Sequence, residues 1–239
     1  MDYTVSNTKK FSLSGSALKI IAVVSMIIDH VAGYLLNENP FFTQTLGQVA
    51  DITITPVYVM RAVGRLAFPL FCFLLVQGFE HTHDRKRYGL YLLAFALISE
   101  IPFDWMVNGG WDMKSQNVFF SLLFGYIGMN LCSVFKTDRF NLAMAIIMLS
   151  VVVIFFGGDY GLEGFLFIML LYIFRRWRCT VIPVCTLLPM GWAAIFSFIP
   201  IMMYDGTRGF IRKKQTKYMF YMFYPAHIMV ICLLKILYY

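Results

Sequence analysis

Eight apolar stretches dominate the chain, at 17–36, 57–79, 88–107, 117–135, 141–156, 162–174, 181–204 and 218–237. A helix needs roughly 20 such residues to cross the hydrocarbon core of a bilayer, and the chain supplies that length repeatedly. The connections between them run about 4 to 20 residues, too short to hold a soluble domain. The pattern predicts an all-α fold: a polytopic integral membrane helix bundle of about eight transmembrane helices, with seven or nine as the neighbouring counts. It also predicts one transmembrane domain at 17–239 behind a cytoplasmic amino-terminal tail at 1–16. The first stretch does not read as a cleaved signal peptide. It is too long, lacks a small-residue cleavage site and contains Asp29 and His30. No internal repeat and no low-complexity tract stand out.

Basic residues between the stretches set the orientation, because cytoplasmic loops of membrane proteins are enriched in Lys and Arg. Lys9 and Lys10 precede the first stretch, and loop 37–56 has no Lys or Arg. Loop 80–87 carries Arg85, Lys86 and Arg87, whereas loop 108–116 has only Lys114. Lys136 and Arg139 follow, loop 157–161 has no base, and Arg175, Arg176 and Arg178 come next. The alternation puts the amino terminus inside. Arg208, Arg212, Lys213, Lys214 and Lys217 then belong inside as well. That requires an even number of crossings between Thr180 and Tyr204. Pro183, Pro189 and Pro200 allow two half-helices or a re-entrant hairpin there, with one span as the other reading and the side of the carboxyl terminus open.

Composition removes the remaining classes. The chain is 59% hydrophobic with a mean hydropathy of +0.69. It is 14% charged, against about 25% for a soluble domain. The net charge of +7 is carried by the basic loops and points to no nucleic acid. Five cysteines, Cys72, Cys132, Cys179, Cys185 and Cys232, are odd in number, scattered and without a C-x-x-C pair. They argue against a disulfide scaffold, and no metal site is expected.

Ionisable groups inside the stretches are functional candidates, because each costs about 2.5–3.5 kcal/mol to insert. They are Asp29, His30, Arg61, Arg65, Glu100, Asp104, His227 and Lys235. Counted along their spans, His30, Arg65 and Glu100 share one level, and Arg61 and Asp104 lie about one turn further out. Arg61 with Arg65, and Glu100 with Asp104, are i,i+4 pairs on single helix faces, so the arginines are expected to meet the carboxylates. Such pairs pin two spans together whatever the function. His30, with an ordinary pKa near 6.5, suits general-base work. Adjacent helix residues point apart, so Glu100 or a group on another span is expected to hold His30 while Asp29 faces Arg61 or Arg65. Pro69 and Pro102 are expected to kink their spans. Asn117 reads as an N-cap or a hydrogen-bonding group for substrate. His227, close to Tyr224, reads as a second site histidine or a packed one.

At these positions the chain resembles a known family. The blocks are Leu18-Lys19-Ile20-Ile21-Ala22 with Met26-Ile27-Ile28-Asp29-His30, and the run from Arg61 through Gly64-Arg65 and Pro69-Leu70-Phe71 to Gly78-Phe79. Ile98-Ser99-Glu100-Ile101-Pro102-Phe103-Asp104 and Gln116-Asn117-Val118-Phe119-Phe120 follow. Then come Asp159-Tyr160-Gly161, Tyr204-Asp205-Gly206 with Arg208-Gly209, and Phe223-Tyr224-Pro225-Ala226-His227. In this order they resemble the TraX family of bacterial membrane proteins. The resemblance implies an acetyltransferase of the bacterial cytoplasmic membrane, with acetyl-CoA as donor and the amino terminus of a pilin as the family's acceptor. The wider membrane acyltransferases have a first-span histidine thought catalytic, which is similar to His30.

The expected activity is transfer of acetyl from cytosolic acetyl-CoA to an amine or hydroxyl of a peptide or glycan at the outer half of the membrane. His30, Glu100 and Arg65 are the expected catalytic residues. Asp29, Arg61, Asp104, Asn117, Tyr224 and His227 are expected around the acceptor. Arg85, Lys86, Arg87, Arg175 and Arg176 are expected at the donor's phosphates. The alternatives are a secondary transporter or proton-coupled carrier using the same buried charges, and a non-catalytic assembly protein.

Overall fold

A computed structural model describes residues 12–112, 115–176, 191–211 and 214–238, and of 214–217 the backbone only. Lys9, Lys10, Lys114, Arg178, Cys179, Pro183, Cys185, Pro189, Arg212 and Lys213 lie outside the described residues.

Helix α1 (Gly15–His30) continues through a π turn, Val31–Leu35. A short α2 (Pro40–Thr43) and an antiparallel hairpin, β1 (Gly47–Val49) on β2 (Ile52–Ile54), lead to α3 (Pro56–Gly64) and α4 (Ala67–His81). Then come α5 (Arg85–Asn108), α6 (Val118–Val134), α7 (Arg139–Phe156) and α8 (Gly161–Ile173). A 3₁₀ helix, Trp192–Ser197, passes into α9 (Phe198–Met202), and α10 (Lys214–Tyr238) ends the described chain. Among the described residues, five helical segments are long and apolar enough to cross a membrane, and Val118–Val134, Gly161–Ile173 and Trp192–Met202 are shorter apolar helices. The protein is a helical, multi-pass membrane bundle, in line with its apolar stretches.

Local chemistry explains the boundaries. Ser14, Thr55, Asp84, Asn117 and Asp138 each accept a first-turn N–H of the helix that follows. Gly109 and Gly157, at φ +70° and +69°, close α5 and α7 in the left-handed conformation. The second stretch is split at Arg65–Leu66, between α3 and α4. Pro69 lacks the N–H that would bond the Arg65 carbonyl, and its ring crowds that carbonyl. Pro102, by contrast, sits inside an unbroken α5.

Contacts show which ends lie together. Arg175 pairs with Glu80 at 3.3 Å, and the Tyr126 hydroxyl donates to the Arg85 carbonyl, so the basic loops share one end. At the opposite end Lys235 pairs with Glu38 at 3.1 Å, which places the end of α10 beside the loop after α1. Trp192 Nε1 donates to the Tyr58 hydroxyl at 2.8 Å, and Tyr204 packs on Phe73 and bridges Leu13. Trp192–Met202 therefore runs toward the basic end, as the even-crossing reading requires of its last leg; residues 181–190 lie outside the described residues. The buried apolar residues join into one cluster reaching from Leu18 through Phe79 and Phe165 to Ile228. Gly125 and Gly128 of α6 admit Ile168, Phe165 and Met169 of α8, the close approach that small residues permit in membranes. Helix α7 fully buries only Val153, rests Ile146, Leu149 and Phe156 part-buried on the core, and turns Phe140, Ile147, Met148, Ile154 and Phe155 outward, where lipid is its solvent.

Candidate active site

The last residue of α1, His30, meets His227 of α10. His30 Nδ1 and His227 Nε2 are 2.8 Å apart, and the ring planes lie within 9° of each other. His227 Nδ1 donates to the Phe223 carbonyl at 2.9 Å. Tyr34, from the π turn, and Tyr224 present their rings edgewise to His30 at 6.1 and 6.2 Å. Tyr224 is buried, and its hydroxyl bonds the backbone of Val118 at the start of α6. The π turn begins where the histidine ends; such a widened turn often marks a functional position in a helix.

Charged groups surround this pair. Asp29 lies against Gly64, with Arg61 and Arg65 on either side of that glycine in sequence. A Cβ on Gly64 would stand 2.7 Å from Asp29 Oδ1 and 2.8 Å from its Cα, so α1 and α3 touch almost backbone to backbone. The Arg61 guanidinium lies across Gly33, which has no side chain to block it. Arg65 passes beside Gly191, held at φ +85°. Both arginines act electrostatically on Asp29 and on Asp159, and among the described residues Asp29 Oδ1 has no hydrogen-bond partner.

Asp159 sits in the loop between α7 and α8. Its backbone N–H donates to the Gln116 carbonyl at 2.8 Å, and Gln116 N–H donates to Gly157 at 3.0 Å. Protein crowds its carboxyl enough that desolvation pushes it up to about 6, against the pull of Arg65 and Arg61 and with the push of Asp29. Yet its surface is exposed. Asp29, Arg61 and Arg65, each half-buried, form a charged cluster with it, and half-buried His30 lies within electrostatic reach of Arg61.

The expected meeting of Arg61 and Arg65 with Glu100 and Asp104 is corrected by the packing. Helix α3 lies on α1 and the π turn, whereas α5 lies on α6 and α10, so the two i,i+4 pairs face different neighbours. The ion pairs among the described residues include Arg87–Asp84, Arg175–Glu80 and Lys235–Glu38. Glu100 instead accepts from the backbone N–H of Asn117, at 3.3 Å, and from its side-chain amide. That amide also donates to the Ala96 carbonyl, and Asn117 Oδ1 caps α6 through Phe119 N–H. Asp104, 1% exposed, accepts from Asp112 N–H at 3.3 Å. Neither carboxylate holds His30; the group on another span that does is His227.

At the basic end Arg85 lies over the Phe79 ring at 4.2 Å and donates to Ser133. Arg175 lies over Tyr172 at 4.4 Å and donates to its carbonyl. Lys86, Arg87 and Arg176 are exposed, with Arg87 beside Asp84. His81 and His83 are exposed at the same end. Depth counting put His30, Arg65 and Glu100 at one level with Arg61 and Asp104 a turn further out; of these the structure gathers His30, Arg61 and Arg65 around Asp29 and pairs Glu100 with Asn117. It missed Asp159, Tyr34, Gly33 and Gly64. Asp159 lies outside any apolar stretch; its signal was the Asp-Tyr-Gly block.

The fold and this charged cluster define a multi-pass helical membrane protein with a histidine pair beside opposed charges. Residues 14–235 match the family model described as TraX protein. The chain belongs to the TraX family. It is similar to the probable fimbrial assembly protein FimC, serogroup H1, of Dichelobacter nodosus. The two are 25% identical over 261 aligned positions, covering 95% of this chain and 98% of that protein. No solved structure matches the chain.

Proposed function

We propose that the protein is a membrane acetyltransferase of the bacterial cytoplasmic membrane. It moves acetyl from cytosolic acetyl-CoA to an amine or hydroxyl acceptor, with His30 as general base. The observation that carries this reading is the position of His30, half-buried beside a cluster of two carboxylates and two guanidinium groups. The acceptor nitrogen or oxygen attacks the thioester carbonyl, and His30 takes its proton. A new N–C or O–C bond forms, the C–S bond breaks, and the departing thiolate recovers the proton from His30. Arg65 stabilises the tetrahedral oxyanion in this reading, as a fixed cation does in a water-poor site. Asp29, Arg61 and Asp159 orient the acceptor.

The donor enters from the basic end, where exposed Lys86, Arg87 and Arg176 suit its phosphates better than the ring-packed Arg85 and Arg175. From Gly15 to His30 is 16 residues, or about 22 Å of helix, the distance the donor's arm covers. The likeness to a protein named for fimbrial assembly favours a peptide acceptor of the pilin kind.

The test is acetyl-CoA binding and slow thioester hydrolysis by detergent-purified protein, beside His30→Ala. Binding kept and hydrolysis lost in the variant is the expected result. A monodisperse, folded sample that binds no acetyl-CoA refutes the reading and favours a carrier.

A further inference from the structure

From the hydrogen bonds around the pair, we infer that His227 is a positioning residue: it dictates which nitrogen of His30 takes the proton. The chain of reasoning starts at a carbonyl. The Phe223 oxygen can only accept, so His227 Nδ1 carries its hydrogen. In neutral His227 the other nitrogen, Nε2, is then a bare lone pair. It lies 2.8 Å from His30 Nδ1, which must be the donor. In neutral His30 that leaves Nε2 without a hydrogen, and Nε2 is the base. Parallel rings whose centroids are 5.0 Å apart leave little room for face-to-face overlap, so the N···N line runs near both ring planes, where lone pairs and N–H bonds point. Both rings sit in membrane-spanning helices, where a neutral imidazole is cheaper to bury than a charged one.

The arrangement follows the logic of a serine protease triad, with a neutral imidazole where the carboxylate stands there. When His30 Nε2 accepts a proton, its Nδ1 hydrogen is already directed at His227 Nε2. The positive charge is then shared across the pair, and Phe223 O stabilises the far end. His227 touches no reacting atom.

The catalytic consequence rests on the transferase reading, but the tautomer does not, so the two are tested apart. The chain has four histidines, and nitrogen-15 labelling of all four in nanodiscs gives a spectrum that single substitutions can assign. The expected result for wild type above neutral pH is a protonated Nδ1 and bare Nε2 on both His30 and His227. In His227→Phe, which keeps a flat ring but removes the acceptor, His30 shifts toward the Nε2–H tautomer, and acetyl transfer falls tenfold or more. In His227→Gln the amide oxygen accepts from His30 Nδ1–H, and both tautomer and most activity return. A wild-type His30 protonated at Nε2 overturns the inference without any variant. So does a His227→Phe protein that keeps the Nδ1–H form. The expected tautomers with no transfer to any acceptor uphold the inference and count against the transferase reading.

Discussion

Gly64→Ala isolates a close contact between α1 and α3, the helices that carry Asp29 and Arg61. The added methyl would stand 2.8 Å from Asp29 Cα and 2.7 Å from its Oδ1. The first of these is backbone in the body of α1, so no rotamer change relieves it and the helices must separate. Overpacking of this kind costs about 1–3 kcal/mol, and a rigid obstacle belongs at the upper end. Alanine gains about 1 kcal/mol over glycine in helix propensity. The clash wins by about 2 kcal/mol, which for a chain this size lowers the unfolding midpoint by about 4–8 °C. The control is Gly110→Ala, where an added methyl meets nothing within 4 Å. Thermal unfolding of both variants in the same detergent, followed by intrinsic fluorescence, makes the comparison. Equal midpoints for the two variants would refute the backbone contact between α1 and α3, and with it the placement of Asp29 between the arginines.

Three further outcomes follow from the same geometry. Glu100→Ala strands the Asn117 N–H groups in a buried setting and lowers stability by about 1–3 kcal/mol; Glu100→Gln, which keeps an acceptor oxygen, loses less, and thermal midpoints separate them. Asp159 holds its proton more tightly folded than unfolded, up to about 6. Its contribution is thus fully present below pH ~4 and is lost as pH rises through ~6; midpoints of wild type and Asp159→Asn across that window should converge at the acid end, and parallel curves would contradict the crowding around its carboxyl. Gly209→Ala loses stability on two counts, a φ of +78° and a Cβ that would lie 2.8 Å from Ser16 Oγ, and a midpoint equal to wild type would contradict that conformation.

The spans were legible because lipid demands uniform apolarity along some 20 residues, and the signal survives any packing arrangement. The break before Pro69 was legible for a local reason, a missing donor and a crowded carbonyl. Partner choice was not. Depth counting put Arg65 and Glu100 at one level, but level says nothing about which helices are neighbours. That is decided by where backbones approach, and Gly33 and Gly64 decide it in favour of α1 for both arginines. The distinction between a bonding carboxylate and an open one was also hidden. Glu100 Oε2 has Asn117 within reach across the α5–α6 connection, while Asp29 Oδ1, like Glu100 Oε1, has no hydrogen-bond partner among the described residues. His30 and His227 were each visible as costly intramembrane groups, but a contact across 197 residues leaves no trace in spacing.

Helices α1 and α10 touch only briefly along their lengths, so something else must hold the histidines at 2.8 Å. The loop between α9 and α10 supplies one restraint. Its Thr207 and Arg208 carbonyls accept the N–H groups of Gly15 and Ser16, and Ser16 Oγ donates to Arg208 O at 2.7 Å and accepts Ile211 N–H at 2.8 Å. Within that loop Thr207 bonds Asp205 through its hydroxyl and backbone N–H, which holds the Asp205 carboxyl below its usual range. Lys235–Glu38 supplies a second restraint at the far end, an exposed pair worth at most ~1 kcal/mol. The inner clasp therefore dominates. Ser16→Ala leaves a buried Ile211 N–H unpaired, at about 1–3 kcal/mol, and releases α1 at the end opposite His30. It should loosen the histidine contact as well as the fold: the His30 tautomer mixes toward Nε2–H although the substitution lies about four helical turns away. Lys235→Ala should leave that tautomer unchanged. If Ser16→Ala lowers the midpoint but leaves the tautomer intact, the pair is held by its own contacts, and the clasp is a fastening of the fold alone.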